Sequence, residues 1–194
     1  TMAADSNVYA GFIKSDGSYN VLVEDSSYYF IQGYSEYYLP TYYNTQNYSS
    51  VFWQNADSVF IDNIITSKNL FVVRDSSYGG GGAYGYITLP PTEDYDFNGI
   101  TILAKSLDNN LLYAYNFAKE DGNFYLSNLP YGNYQLVAQK IGLPNAVSNV
   151  FTISPQNQNQ NALNIKFTLT DIGDGNSIIP KTVQLYNNYP NPFN

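Results

Sequence analysis

Apolar and polar residues alternate with a period of two along most of the chain, and Pro, Gly, Asn or Ser interrupts the alternation about every ten residues. Tyr19, Val21 and Val23 occupy one face of such a segment, opposite Asn20, Leu22 and Glu24. Ile100, Ile102 and Ala104 alternate with Thr101, Leu103 and Lys105. Tyr113, Tyr115 and Phe117 share a face, as do Tyr134, Leu136 and Ala138. Ile165, Phe167 and Leu169 oppose Asn164, Lys166 and Thr168. Successive side chains of a strand point to opposite faces, so each segment reads as a strand with one buried face. Helical periodicity is nearly absent. Short strands at this spacing predict an all-β chain of antiparallel sandwiches.

Gly79 to Gly82 form the clearest break. Four glycines carry a heavy entropic cost in a regular element, so the run is expected to be a joint or sharp turn. It divides residues 1–78, a Tyr-rich first part, from a second part over 83–170. The run Pro155 to Asn161 is expected as a hairpin-like loop inside the second part, and residues 171–194 as a Gly- and Pro-rich tail. The two parts share a local pattern: Gly17-Ser18-Tyr19-Asn20-Val21-Leu22-Val23 lines up with Gly132-Asn133-Tyr134-Gln135-Leu136-Val137-Ala138. The expectation is a tandem pair of related sandwiches. Fewer residues precede the Asp16-Gly17 turn than precede Asp121-Gly122, so the first sandwich lacks one or more opening strands. Unpaired backbone and an apolar slot would follow.

Composition narrows the chemistry. The 194 residues include no His and no Cys, which removes imidazole- or thiol-based nucleophilic catalysis, the commonest zinc sites and disulfides. Eight basic residues stand against 16 acidic ones, a net charge of −8, and the basic ones are scattered. No positive stripe follows a phosphate backbone, so nucleic acid is not an expected partner. No apolar run is long enough for a membrane span. Met2 follows Thr1, so the chain reads as processed or as part of a longer one. Tyr is unusually frequent, at 21 residues against 11 Phe and one Trp. Buried phenols need hydrogen-bond partners, so many of these rings are expected half-exposed on sheet faces.

Carboxylates adjoin one another at Glu24-Asp25, at Glu93-Asp94 with Asp96, and at Glu120-Asp121. Neighbours on a strand face opposite ways, and the Asp94 region is a Pro-led turn, so no catalytic pair is expected. Asp171 to Asn176 spaces oxygens as calcium accepts them, yet lacks a distal bidentate Glu and reads as a solvated linker. The glycine run lacks the Lys and helix of a phosphate-binding loop. No catalytic, cofactor or metal residues are therefore assigned. The densest constellation is aromatic: Tyr28, Tyr29, Phe30, Tyr34, Tyr37, Tyr38, Tyr42, Tyr43, Tyr48, Phe52 and Trp53. It fits three readings: a half-buried sheet face, a protein contact, or a platform stacking on sugar rings.

Two segments resemble known families. Asp121-Gly122-Asn123-Phe124-Tyr125-Leu126-Ser127-Asn128 followed by Leu129-Pro130-Tyr131-Gly132-Asn133-Tyr134-Gln135-Leu136 resembles the carboxypeptidase regulatory-like, or transthyretin-like, β-sandwich module, with Gly85 to Leu89 as its opening strand. The resemblance implies Ig-like/transthyretin-like antiparallel sandwiches and a non-catalytic module of a surface protein. Tyr189-Pro190-Asn191-Pro192-Phe193-Asn194, within Ile179 to Asn194, resembles the start of the C-terminal sorting domain of type IX secretion cargo. That resemblance implies export across an outer membrane to the cell surface or medium. The expected function is a secreted, non-enzymatic structural protein, a filament subunit polymerising with copies of itself. Tyr37, Tyr38, Tyr42, Tyr43 and Trp53 would form lateral contacts, and Val183, Leu185 and Tyr186 of the tail would complete a neighbour's sandwich. The alternative is a glycan-binding or adhesive accessory module of a larger secreted protein, marked by an exposed coplanar ring pair near Trp53.

Overall fold

The computed structural model describes residues 8–24, 26–62, 68–75, 78–91 and 95–169. The fold is all-β. Its first strands are short: β1 (Ser27–Tyr29), β2 (Gln32–Ser35), β3 (Tyr38–Tyr42), β4 (Val59–Ile61) and β5 (Val73–Arg74). β1 pairs with β4, and β3 lies between β2 and β5, all antiparallel. Longer strands follow: β6 (Gly81–Thr88), β7 (Thr101–Ser106), β8 (Leu112–Phe117), β9 (Asn123–Leu129) and β10 (Gly132–Gln139). The last are β11 (Ala146–Val147), β12 (Phe151–Ile153) and β13 (Asn159–Lys166).

β6 to β13 make a two-sheet sandwich. One sheet runs β8-β7-β10, with β11 and β12 both pairing to β10; the other runs β13-β6-β9. Ile100, Ile102, Ala104, Leu136 and Ala138 face Ala83, Ile87, Phe124, Leu126 and Ile165 across the core. Burying each larger aliphatic chain contributes roughly 1.5–3 kcal/mol. The Leu129-Pro130 to Tyr134 segment carries the bend between β9 and β10: the Tyr134 hydroxyl donates to the Pro130 carbonyl at 3.0 Å while its ring packs in the core. Asp108 holds the same corner, accepting from the backbone N–H and the side-chain amide of Asn133, both at 3.0 Å.

The outer face of the β7–β10 sheet is buried as well, at Thr101, Leu103, Val137 and Gln139. The first part covers it. Gln139 accepts from the Trp53 backbone N–H at 3.1 Å and donates to the Val51 carbonyl at 2.8 Å. Gln54 donates to Asn145 at 2.8 Å, and Tyr115 donates to the Ser35 carbonyl at 3.2 Å. The β7–β10 sheet is thus the middle of three layers.

Several sequence expectations need correction. Residues 19–24 form no strand; the Asp16-Gly17 turn closes a single bridge between Ile13 and Tyr19, and Leu22 is 92% exposed. Only the second half of the internal match, Gly132 to Ala138, is a strand. The glycine run is not a free joint. β6 begins at Gly81, and a Cβ at Gly79 or Gly81 would lie 2.3 Å from the Leu129 carbonyl oxygen or the Ile153 side chain. Other chain segments press against Gly79, Gly81 and Gly82, while Gly80 faces open space. The hairpin-like loop expected within Pro155–Asn161 is present as a tight turn closed by paired backbone bonds between Ser154 and Asn157. β13 then starts at Asn159 and crosses to the other sheet, where it runs parallel to β6. A register shift between Gln160 and Leu163 brings the Leu163 carbonyl over Gly85, where a Cβ would sit 2.1 Å away. Asp121-Gly122 turns the chain from β8 in one sheet to β9 in the other and so closes a corner between layers.

Candidate functional site

The β2–β3 hairpin turns through Glu36 and Tyr37. Tyr37 has φ of 69°, a left-handed conformation that costs a non-glycine residue about 1–2 kcal/mol. Its carbonyl accepts from the Asp75 backbone N–H at 2.8 Å, which locks the end of β5 to the turn. Beside the turn lies the edge of β8. There Tyr115 and Phe117 project outward by alternation from the core residue Ala114, while a register shift at Ala104 and Lys105 makes Tyr113 the extra residue, packed edge-on to Tyr134. Tyr34 of β2 meets Phe117 edge-on with ring centroids 4.9 Å apart. The first layer and the sandwich are therefore joined by rings at this seam.

Two adjoining cavities open along the seam, of about 530 Å³ and 330 Å³. Glu36, Tyr37, Asp75 and Asn128 line both, which makes them one groove. Tyr78 borders the larger cavity; Tyr34, Tyr115, Phe117 and Tyr125 border the smaller. Tyr34, Glu36, Tyr37 and Tyr78 are themselves exposed, so the groove is open and shallow. Beyond the groove, Tyr125 stacks on its cross-strand partner Tyr84, with centroids 4.4 Å apart and planes 25° from parallel, and Tyr86 lies on the same outer face. Aromatic surface thus continues from the hairpin tip onto the outer face of the second sheet.

The seam's own backbone is closed by Asn116. Its amide donates to the Tyr125 carbonyl at 2.7 Å, and its side-chain oxygen accepts from the Phe117 N–H at 2.8 Å. The two carboxylates sit among the phenols. A hydrogen bond to the Glu36 carboxylate raises the Tyr37 phenol above its ordinary value, with further upward pressure from Asp75. Burial raises Tyr115, again reinforced by Asp75. The hydroxyls of the stacked pair are hydrogen-bonded, which raises Tyr84. Among the described residues, neither cavity is lined by a Lys or Arg.

The sequence-predicted contact residues scatter. Tyr37 stands in the groove, and Tyr38 is exposed opposite Arg74. Tyr42 is 2% exposed, so it is a core residue and not a contact; burial raises its phenol strongly. Tyr43 is half-buried with the Lys68 ammonium 5.3 Å from its ring centre. Trp53 is half-buried and edge-on to Phe30 at 6.2 Å, with its indole N–H buried, so no exposed coplanar pair lies there among the described residues. Among the described residues, Tyr84 and Tyr125 form an exposed stacked pair. Val183, Leu185 and Tyr186 lie outside the described residues, as do Asp25, Glu93, Asp94 and Asp171 to Asn176. Asp96 is paired with Lys140 at 3.0 Å, and Asp121 caps Asn123. Asp75, Tyr78, Tyr84, Tyr115, Phe117 and Tyr125 were not singled out from the sequence as site residues. The shared face of Tyr115 and Phe117 was legible there; its apposition to the hairpin tip, across 80 positions for Tyr115 and Ser35, was not. No helix of the described residues is long and apolar enough to cross a membrane. No family model and no curated protein matches the chain.

Proposed function

We propose that the chain is an exported, non-catalytic binding module of a cell-surface or extracellular protein, and that its groove holds carbohydrate. The observation that carries this reading is the groove between the β2–β3 hairpin and β8–β9, where aromatic rings sit beside carboxylate and amide side chains. Flat rings cover the apolar C–H faces of a pyranose while neighbouring polar groups take its hydroxyls. The strained Tyr37 supports the reading, since an unfavourable backbone conformation at a ligand-facing tip is a cost that binding can justify. Export is supported by the likeness of Tyr189 to Asn194 to a sorting-domain start, and a surface role by the likeness of residues 121–136 to the carboxypeptidase regulatory-like module. Affinity electrophoresis through gels containing soluble polysaccharides tests it. Wild-type chain should be retarded by at least one polysaccharide, and Tyr37→Ala and Tyr125→Ala should each migrate freely. Retardation by none, or retardation untouched by both substitutions, would remove the groove as a glycan site.

A second reading, polymerisation by strand exchange, is favoured by the β1–β4 ribbon. Those two strands pair with each other, and their cross-strand rings Tyr28 and Phe60 are both about half exposed at 4.8 Å separation. A ribbon of that kind can accept a further strand. Filaments in negative stain that vanish on deleting residues 179–194 would support it; a monomer by light scattering at all concentrations would end it.

A further inference from the structure

We infer that Tyr84 and Tyr125 form a site of oxidative cross-linking, where a haem peroxidase using hydrogen peroxide joins the two rings through a carbon–carbon bond. The site lies on the outer face of the second sheet and does not depend on the carbohydrate reading. The two residues are direct cross-strand partners of β6 and β9. Their rings stack with centroids 4.4 Å apart and planes 25° from parallel, and their hydroxyls are hydrogen-bonded. Coupling takes place at the ring carbons beside the hydroxyls, so stacked rings with adjoining hydroxyls bring the reacting carbons together. Each residue is 38% exposed, which leaves its ring open to an oxidant and with room to swing into the joined geometry. Tyr9 with Tyr29 and Tyr113 with Tyr134 also meet, but edge-on at 84° with centroids 5.7 and 6.0 Å apart. Tyr134 is moreover buried, and its hydroxyl is engaged with the Pro130 carbonyl.

Composition directs oxidation to tyrosine. The 194 residues hold no Cys, one Met and one Trp against 21 Tyr, so few other side chains intercept a one-electron oxidant. Each phenol loses one electron and one proton to the oxidant and becomes a phenoxyl radical. The two radicals couple between the carbons beside their oxygens. The hydrogen on each joined carbon then moves to its oxygen, which restores the phenol. The pair loses two hydrogen atoms in all, and peroxide takes up the two electrons and two protons to become two waters. The bond ties β6 to β9 across about 40 residues of chain, restricting the unfolded state as a disulfide does where cysteines are present.

Treating the dilute chain with a haem peroxidase and limiting hydrogen peroxide tests the inference, read by dityrosine fluorescence and by mass spectrometry of the linked peptides. The monomer should lose two hydrogens and become fluorescent, with the bond between Tyr84 and Tyr125 as its dominant linkage. Tyr84→Phe and Tyr125→Phe keep the ring but remove the phenol. Each should lose most of the monomer's dityrosine fluorescence, with folding checked by the melting curve. Tyr28→Phe removes an exposed phenol elsewhere and should keep it. Linkages scattered over other tyrosines, or fluorescence that survives both substitutions, would overturn the inference. So would linkage found only between chains, or peroxide consumed with no dityrosine formed.

Discussion

At the scale of single residues, tyrosine does two jobs that composition alone does not separate. Tyr134 is a core ring whose hydroxyl found a backbone partner; burial, first of all, lifts its phenol to about 12. Tyr134→Phe should destabilise the chain by about 1 kcal/mol, the usual net worth of one such bond, because the Pro130 carbonyl loses its donor. Denaturant titration measures it, and an unchanged midpoint would contradict the role given to that bond. Tyr37 is the opposite case: exposed, left-handed and poorly placed for stability. Tyr37→Asn puts a residue that tolerates this conformation at the hairpin tip. Its stability should equal the parent's or exceed it by up to about 1 kcal/mol, while polysaccharide binding is lost. A variant both less stable and still binding would place Tyr37 among structural residues.

At the scale of elements, Gln139 joins the layers. Its side-chain amide is fully buried, and Trp53 and Val51 use both of its ends. Gln139→Leu fills similar volume but leaves a backbone N–H and a carbonyl unpaired beneath the first layer, so a loss of about 1–3 kcal/mol is expected. Limited proteolysis should show cleavage between residues 43 and 60 appearing before cleavage of β6 to β13; simultaneous cleavage of both would argue against this coupling. The strands with two clear faces were legible in the sequence: β7, β10 and the end of β13 place Ile102, Leu136 and Ile165 inside, as their alternation predicts. What alternation could not show was a sheet buried on both sides. Leu103 and Thr101 read as an outer face, and the distant first layer covers them, with Gln32 against Thr101. The strand expected at Tyr19 to Glu24 failed for the complementary reason. Its pattern is strand-like, but among the described residues its ladder pairing stops at the single bridge between Ile13 and Tyr19. Tyr19 instead sends its hydroxyl to the Lys68 carbonyl at 2.6 Å. The groove was hidden because it forms where four separated segments meet, while the densest run of aromatics in the sequence put Tyr42 in a core.

At the scale of the molecule, loops are fastened by aspartates. Hydrogen bonds from Ser18, Thr45, Asn133 and Asn123 lower the carboxyls of Asp16, Asp57, Asp108 and Asp121 below 3.8. Asp96 is pushed up by its partial burial but held down overall by Lys140 and Asn98. Carboxyls depressed in the folded state contribute stability that is complete above the unfolded value and is lost as pH falls through the folded values. Melting temperature should therefore be flat near neutrality and fall steeply below about pH 4, and Asp96→Asn should soften that fall. A melting temperature independent of pH in that range would contradict the capping role. The layered body these loops fasten holds the hairpin tip against the sandwich edge, and the groove exists only where the two meet. Its occupancy by carbohydrate is the central claim, and nuclear magnetic resonance mapping with the polysaccharide that retards the chain tests it most directly. Shifts should concentrate at Tyr37, Asp75, Tyr115, Tyr125 and Asn128. Shifts confined to Trp53 and its surroundings, or to the β1–β4 ribbon, would contradict it.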